Sequence, residues 1–186
     1  MIEASSSYKK VIALNPNFAE AYSNMGFIFF RQGNLEAAKR NLEKAVELDP
    51  SLAGAYSILG NVHVEQGKLE DALTLYERAI ELDPYLATAH ANLGNLFKML
   101  GKIDQSVVSC KKAISLDSKL PEPVYTLALI LYENHQYKEA AEKFQSIDYQ
   151  QSKNYALRCF FLSNNQAEFY SQLDLLDSER KANALI

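Results

Sequence analysis

The sequence predicts an all-α fold, a stack of helix-turn-helix hairpins, and three observations lead there. Prolines stand at Pro16, Pro50 and Pro84, each 34 residues after the last. Small residues keep the same period, as Gly26, Gly60, Gly94 and Ala128 and again as Ala38, Ala72, Ser106 and Ala140. Between them the apolar residues follow the three-and-four rhythm of a helix with one buried stripe, as in Leu69, Ala72, Leu73, Tyr76, Ala79 and Ile80.

Taken in order, residues 1–18 match only the second half of a unit, with Ala4, Tyr8 and Pro16 at places 20, 24 and 32. Four units follow, at 19–52, 53–86, 87–120 and a more divergent 121–154. Their fourth place holds Tyr22, Tyr56, His90 and Val124, and their seventh holds Met25, Leu59, Leu93 and Leu127, all directed at the core. The small residues at places 8 and 20 allow two helices to approach closely. First helices are predicted at 19–32, 53–66, 87–100 and 121–134. They close on Gln32-Gly33-Asn34, Gln66-Gly67-Lys68 and Leu100-Gly101-Lys102, where glycine takes the left-handed conformation that ends a helix. In the fourth unit Asn134-His135-Gln136 takes that task, with asparagine as the residue tolerant of positive φ.

Second helices are predicted at 35–48, 69–82, 103–116 and 137–147. They stop before Asp-Pro, because proline has no N–H and drives the preceding residue out of the helical region. Ser118 replaces the proline in Ser115-Leu116-Asp117-Ser118 without loss of register. Residues 155–186 read as a degenerate hairpin that caps the stack. Tyr155, Cys159, Phe160 and Leu162 form one helix, Asn164-Asn165 the turn, and Phe169, Leu173 and Leu176 the other, with a shortened period. Asp177-Ser178 is expected to open a further helix, and from the apolar Ala184-Leu185-Ile186 the chain is expected to be a fragment of a longer protein.

These residues resemble the tetratricopeptide repeat family, whose pattern has an aromatic at place 4, Leu-Gly at 7 and 8, alanines at 20 and 27, and proline at 32. Ala45, Ala79 and Ala113 fill place 27, and Leu35, Leu69, Ile103 and Tyr137 fill the apolar place 17. The resemblance covers three strong units and one weaker one. It implies a right-handed α-solenoid in which first helices line a concave groove and second helices form the outer wall. It also implies a scaffold that binds a protein or peptide partner and has no catalytic site.

Family geometry assigns places 2, 5, 6, 9, 12 and 13 to the groove. Asn24, Asn61, Asn92 and Asn95 stand there, amides that both donate and accept and so suit a peptide backbone. Their competing role is to bridge neighbouring helices. Phe27 and Phe30 near the front, and Tyr125, Leu129 and Tyr132 near the back, offer aromatic and aliphatic area for anchor residues, unless they pack between helices. Arg31 and Lys98 are the groove cations, beside Glu20, Glu65, Glu122 and Glu133. Places 2, 5, 6 and 9 hold no lysine or arginine, which disfavours the family's carboxylate clamp for acidic chaperone tails.

Composition excludes several other classes. Of 186 residues, 48% are hydrophobic and 23% charged, and the net charge of −4 leaves no basic surplus for nucleic acid or an anionic membrane. The apolar stretches 25–30 and 124–132 fall short of the roughly 18 residues of a membrane span. MIEASSSYKK lacks the form of a secretory signal, and Cys110 and Cys159 suggest neither disulfides nor a zinc knuckle, which together place the chain in the cytoplasm. His63 and His90 occupy slots for large ring residues, and His135 sits in a turn; none pairs at i, i+4 with another. Cys110 falls at place 24, read as a site for small apolar residues. No phosphate loop exists, and no catalytic residue, metal or cofactor is expected. Two further readings share the stage: a substrate-docking or spacer region of a larger bacterial enzyme, with a transferase or oxygenase domain beyond Ile186, and self-association through the unfinished ends.

Overall fold

The computed structural model describes residues 2–149, 151–165 and 167–173. Among them every regular element is helical: α1 Ile2–Leu14, α2 Ala19–Arg31, α3 Leu35–Leu48, α4 Ala53–Glu65, α5 Leu69–Leu82, α6 Ala87–Met99, α7 Ile103–Leu116, α8 Pro121–Glu133, α9 Tyr137–Gln145 and α10 Ser152–Leu162. Residues 167–173 are also helical. The fold is an all-α helical repeat. The features placed at Asp177-Ser178 and 184–186, and at Leu176, lie outside the described residues.

The chain divides after Ser118 into two compact units. In the first, α2 and α3, α4 and α5, and α6 and α7 pair as hairpins, with α1 against α2. Within this unit α3 also packs on α4 and α5 on α6. The first helices touch each other in series, α2 with α4 and α4 with α6, whereas no comparable contact joins α3 to α5 or α5 to α7. A stack whose first helices lie closer together than its second helices curves toward the former, so α2, α4 and α6 form the inner wall of this unit. In the second unit α8 pairs with α9 and α9 with α10.

The first helices end one residue before the predicted boundaries, and α3, α5 and α7 run between the predicted ones. Local chemistry explains why. Asn34 caps α3 by accepting the Ala37 N–H at 3.1 Å. Asp49 and Asp83 close α3 and α5 in extended conformation, and each carboxylate accepts the backbone N–H two residues on, Ser51 at 2.8 Å and Tyr85 at 2.9 Å. Asp117 adopts the same extended conformation, with φ −143 and ψ 102, although serine follows it. The turn therefore does not need the proline, which is why Ser118 leaves the register intact.

Three details depart from the sequence reading. The left-handed residue in the fourth unit is His135, with φ 60, and Asn134 is not left-handed at φ −85. His135 occupies the place filled by Gly33, Gly67 and Gly101, so the hairpin geometry dictates the place and the residue there accepts it. Place 24 is also not reserved for small side chains: Leu42, Tyr76 and Phe144 fill it beside Cys110, all buried. Room comes from place 8, where a Cβ on Gly26, Gly60 or Gly94 would lie 2.5 Å from Leu42, Tyr76 or Cys110. Finally, α9 stops at Gln145, before the predicted 147, and α10 begins at Ser152, 31 residues after the start of α8. Buried Ser152 fixes that shortened link by donating its hydroxyl to the Ile147 carbonyl at 2.9 Å.

Gly101 isolates the left-handed requirement, since φ is +72 and a Cβ would meet nothing within 4 Å. Gly101→Ala is expected to lower unfolding free energy by about 1 kcal/mol through backbone strain alone, read from the midpoint of urea denaturation at unchanged m-value. A neutral result would show that the turn does not hold its positive φ in solution.

Candidate functional site

The helices α2, α4 and α6 carry the residues that the sequence assigns to a groove in the first three hairpins, and their hydrogen bonding separates them. Asn61 on α4 is half-buried, and its Oδ1 accepts a hydrogen bond from the Tyr76 hydroxyl at 2.6 Å. Tyr76, on α5, is 2% exposed, and burial first, then the negative charge of Glu65, pushes its pKa well above the ordinary tyrosine value. Its hydroxyl therefore remains a neutral donor and holds the carbonyl end of Asn61 toward the second helix. The Asn61 Nδ2 hydrogens have no partner among the described residues.

Asn92 on α6 is held in the opposite sense. Its Nδ2 donates to the Ser57 hydroxyl of α4 at 3.2 Å, with Ser57 4% exposed, and its Oδ1 has no partner among the described residues. Neighbouring helices thus present one amide with free donors and one with a free acceptor. Asn24 and Asn95 are exposed and make no hydrogen bond among the described residues. Phe27 is 44% exposed, while Phe30 is half-buried against the cluster of Leu42, Leu59 and Val62. Arg31, Glu20 and Glu65 are exposed and Lys98 is half-buried, so charges of both signs border the wall.

Tyr125 and Tyr132 belong to a different assembly, in the second unit. Tyr125 stands edge-on to Phe144, Tyr149 and Tyr155 with centroids 5.6, 5.4 and 6.2 Å away. Tyr132 stands edge-on to Tyr137 at 5.6 Å and to Tyr155 at 5.4 Å. Both tyrosines are half-buried there. Burial raises the pKa of Tyr125, with Tyr155 and Tyr149 adding to the shift.

The histidines and cysteines have structural surroundings. The Nδ1 of half-buried His63 lies 3.4 Å from the Asp71 carboxylate, within ion-pair range but without hydrogen-bond geometry. His90 Nε2 lies 3.1 Å from the Pro84 carbonyl, which can only accept, so that nitrogen carries the hydrogen. His135 Nδ1 is 2.6 Å from the Tyr137 hydroxyl. Cys159 is buried and its thiol is pushed up to about 11, and Cys110 is also buried. Among the described residues no three His, Cys, Asp or Glu side chains gather as metal ligands, and no helix is long and apolar enough to cross a membrane.

One feature escaped the sequence reading: a cleft of about 390 Å³ in the second unit, lined by Tyr132, Leu157, Arg158, Phe161, Leu162 and Phe169. A signal existed in Phe160-Phe161-Leu162. Three successive helical residues fan over too wide an arc for one buried stripe, and here Phe160 is buried while Phe161 is 68% and Leu162 46% exposed.

Residues 3–33, 26–67 and 60–101 match a family model of the TPR repeat, and residues 87–120 match one of the tetratricopeptide repeat. No curated protein matches the sequence. Among solved structures the chain is similar to pilF of Pseudomonas aeruginosa, with TM-score 0.75 and 20% identity over 89% of this chain and 78% of that one. It is similar to YrrB, a TPR protein with an unusual peptide-binding site, with TM-score 0.64 and 23% identity over 91% and 90% of the two chains. The APC/C hetero-tetramer Cut9-Hcn1 gives TM-score 0.81 and 14% identity over 92% of this chain and 35% of that one. At such identities the likeness is one of fold.

Proposed function

The chain belongs to the tetratricopeptide repeat family, and from that premise we propose that it is a non-catalytic scaffold whose inner wall grips the backbone of an extended peptide. The observation that carries this reading is the opposed setting of two amides. Tyr76 engages the Oδ1 of Asn61 and Ser57 the Nδ2 of Asn92, so one amide keeps its donors and the other its acceptor for a ligand. An extended peptide presents carbonyls and N–H groups along each edge, and such a pair engages one of each whatever the side chains. Because both amides are already fixed, little rotamer entropy is lost when they bind.

Exposed Asn24 and Asn95 extend the polar track, and the open ring of Phe27 receives an apolar side chain of the ligand. Arg31 and Lys98, balanced by Glu20 and Glu65, bias the ligand's charge only weakly. Tyr125 and Tyr132 pack within their own cluster and are left out of this grip. The peptide-binding site of the similar protein YrrB supports the reading.

The test begins with phage-displayed dodecapeptides selected on the chain, one of which is synthesised and titrated calorimetrically. Asn24→Ala combined with Asn95→Ala is expected to weaken it about tenfold, the loss of one or two hydrogen bonds, with helical circular dichroism unchanged. Tyr76→Phe releases Asn61 from its fixed orientation and weakens the same peptide severalfold. Affinities unaltered in both variants would reject the groove.

A further inference from the structure

We infer that the cleft of the second unit is a separate docking site, for a short peptide segment in which a large apolar side chain stands beside a carboxylate. The rings of Phe161 and Phe169, with centroids 5.6 Å apart and tilted by 54°, make an apolar wall, and Leu162 extends it. With Phe161 and Leu162 as open as they are, an apolar group laid on this wall removes surface from water on both partners.

Charge decides which apolar group. Arg158 lines the same cleft and stands one helical turn beyond Tyr155, its guanidinium 5.7 Å from that ring's centroid. A guanidinium resting on an aromatic face keeps its N–H edges free, and those edges match the two oxygens of a carboxylate. No acidic side chain among the described residues pairs with Arg158. Glu168, next to Phe169, accepts instead from Gln145 at 3.4 Å and Gln172 at 3.2 Å. The cleft thus joins an exposed apolar wall to a positioned cation that has no acidic partner among the described residues, a combination that fits Phe or Leu next to Asp or Glu.

The probe is a fluorescein-labelled octapeptide with a central Phe-Leu pair flanked by aspartates, titrated into the full chain by fluorescence anisotropy beside a control with asparagines in their place. The acidic peptide is expected to bind about tenfold more tightly than the control, with a margin that shrinks as salt rises. Arg158→Gln should erase that margin and leave the control unaffected, and Phe161→Ser, an exposed position, should abolish binding of both. Asn24→Ala with Asn95→Ala should leave this peptide's affinity unchanged, which keeps the result separate from that of the groove. Absence of saturable binding, or an acid preference that survives Arg158→Gln, would overturn the assignment. So would sedimentation showing a dimer that Phe161→Ser dissolves, since the cleft would then be filled by a second copy.

Discussion

Gly60→Val is expected to lower the stability of the chain by about 3 kcal/mol, the upper range for an overpacked core. Its new Cβ would lie 2.5 Å from Cε1, 2.8 Å from Cδ1 and 3.1 Å from Cζ of Tyr76, before the two valine methyls are counted. Tyr76 cannot yield cheaply, being 2% exposed and fastened through its hydroxyl to Asn61. The remaining outcome is separation of α4 from α5, which also disturbs the Asn61 amide. Gly54→Ala on the same helix has the opposite sign, because a Cβ there meets nothing within 4 Å and alanine gains up to about 1 kcal/mol of helix propensity. Urea denaturation of the two variants side by side separates packing from propensity. Equal midpoints would show that place 8 imposes no steric limit.

The second large effect belongs to the other unit. Phe144→Ala is expected to cost about 4 kcal/mol, from lost transfer energy and the cavity left behind. Phe144 is fully buried and stacks on Tyr155 at 5.1 Å, while Tyr125 meets it edge-on at 5.6 Å. Removing it takes away the buried ring against which Tyr125 and Tyr155 pack, and these two in turn contact Tyr149 and Tyr132, so near-ultraviolet dichroism from tyrosine should collapse together with the stability. A variant that retained that signal and melted within a degree or two of the parent would show that the cluster is not organised around this ring.

The helical frame was legible because its punctuation is local. Glycine at Gly33, Gly67 and Gly101, and aspartate at Asp49, Asp83 and Asp117, act through the few residues around them, so position along the chain suffices to place them. His135 shows the limit of this reasoning, since residue preference pointed to Asn134 while the geometry of the hairpin selected its neighbour. The candidate site was less legible because its chemistry depends on what faces each residue across the hairpin. Asn61 and Asn95 are the same residue at the same place, yet the first is tied to Tyr76 and the second is exposed. What differs is place 24, tyrosine in one hairpin and Cys110 in the next, fifteen residues away in sequence. Likewise Tyr125 and Tyr132 hold groove places by register but are claimed by ring contacts with Tyr155, whose helix follows a shortened period.

The opposed amides of Asn61 and Asn92 carry one more implication, for the direction in which a ligand runs. Along one edge of a strand, the step from an N–H to the next carbonyl differs in length from the step from that carbonyl to the following N–H. A donor and an acceptor set at a fixed separation therefore distinguish an N-to-C thread from its reverse, and a scaffold indifferent to side-chain identity would still read polarity.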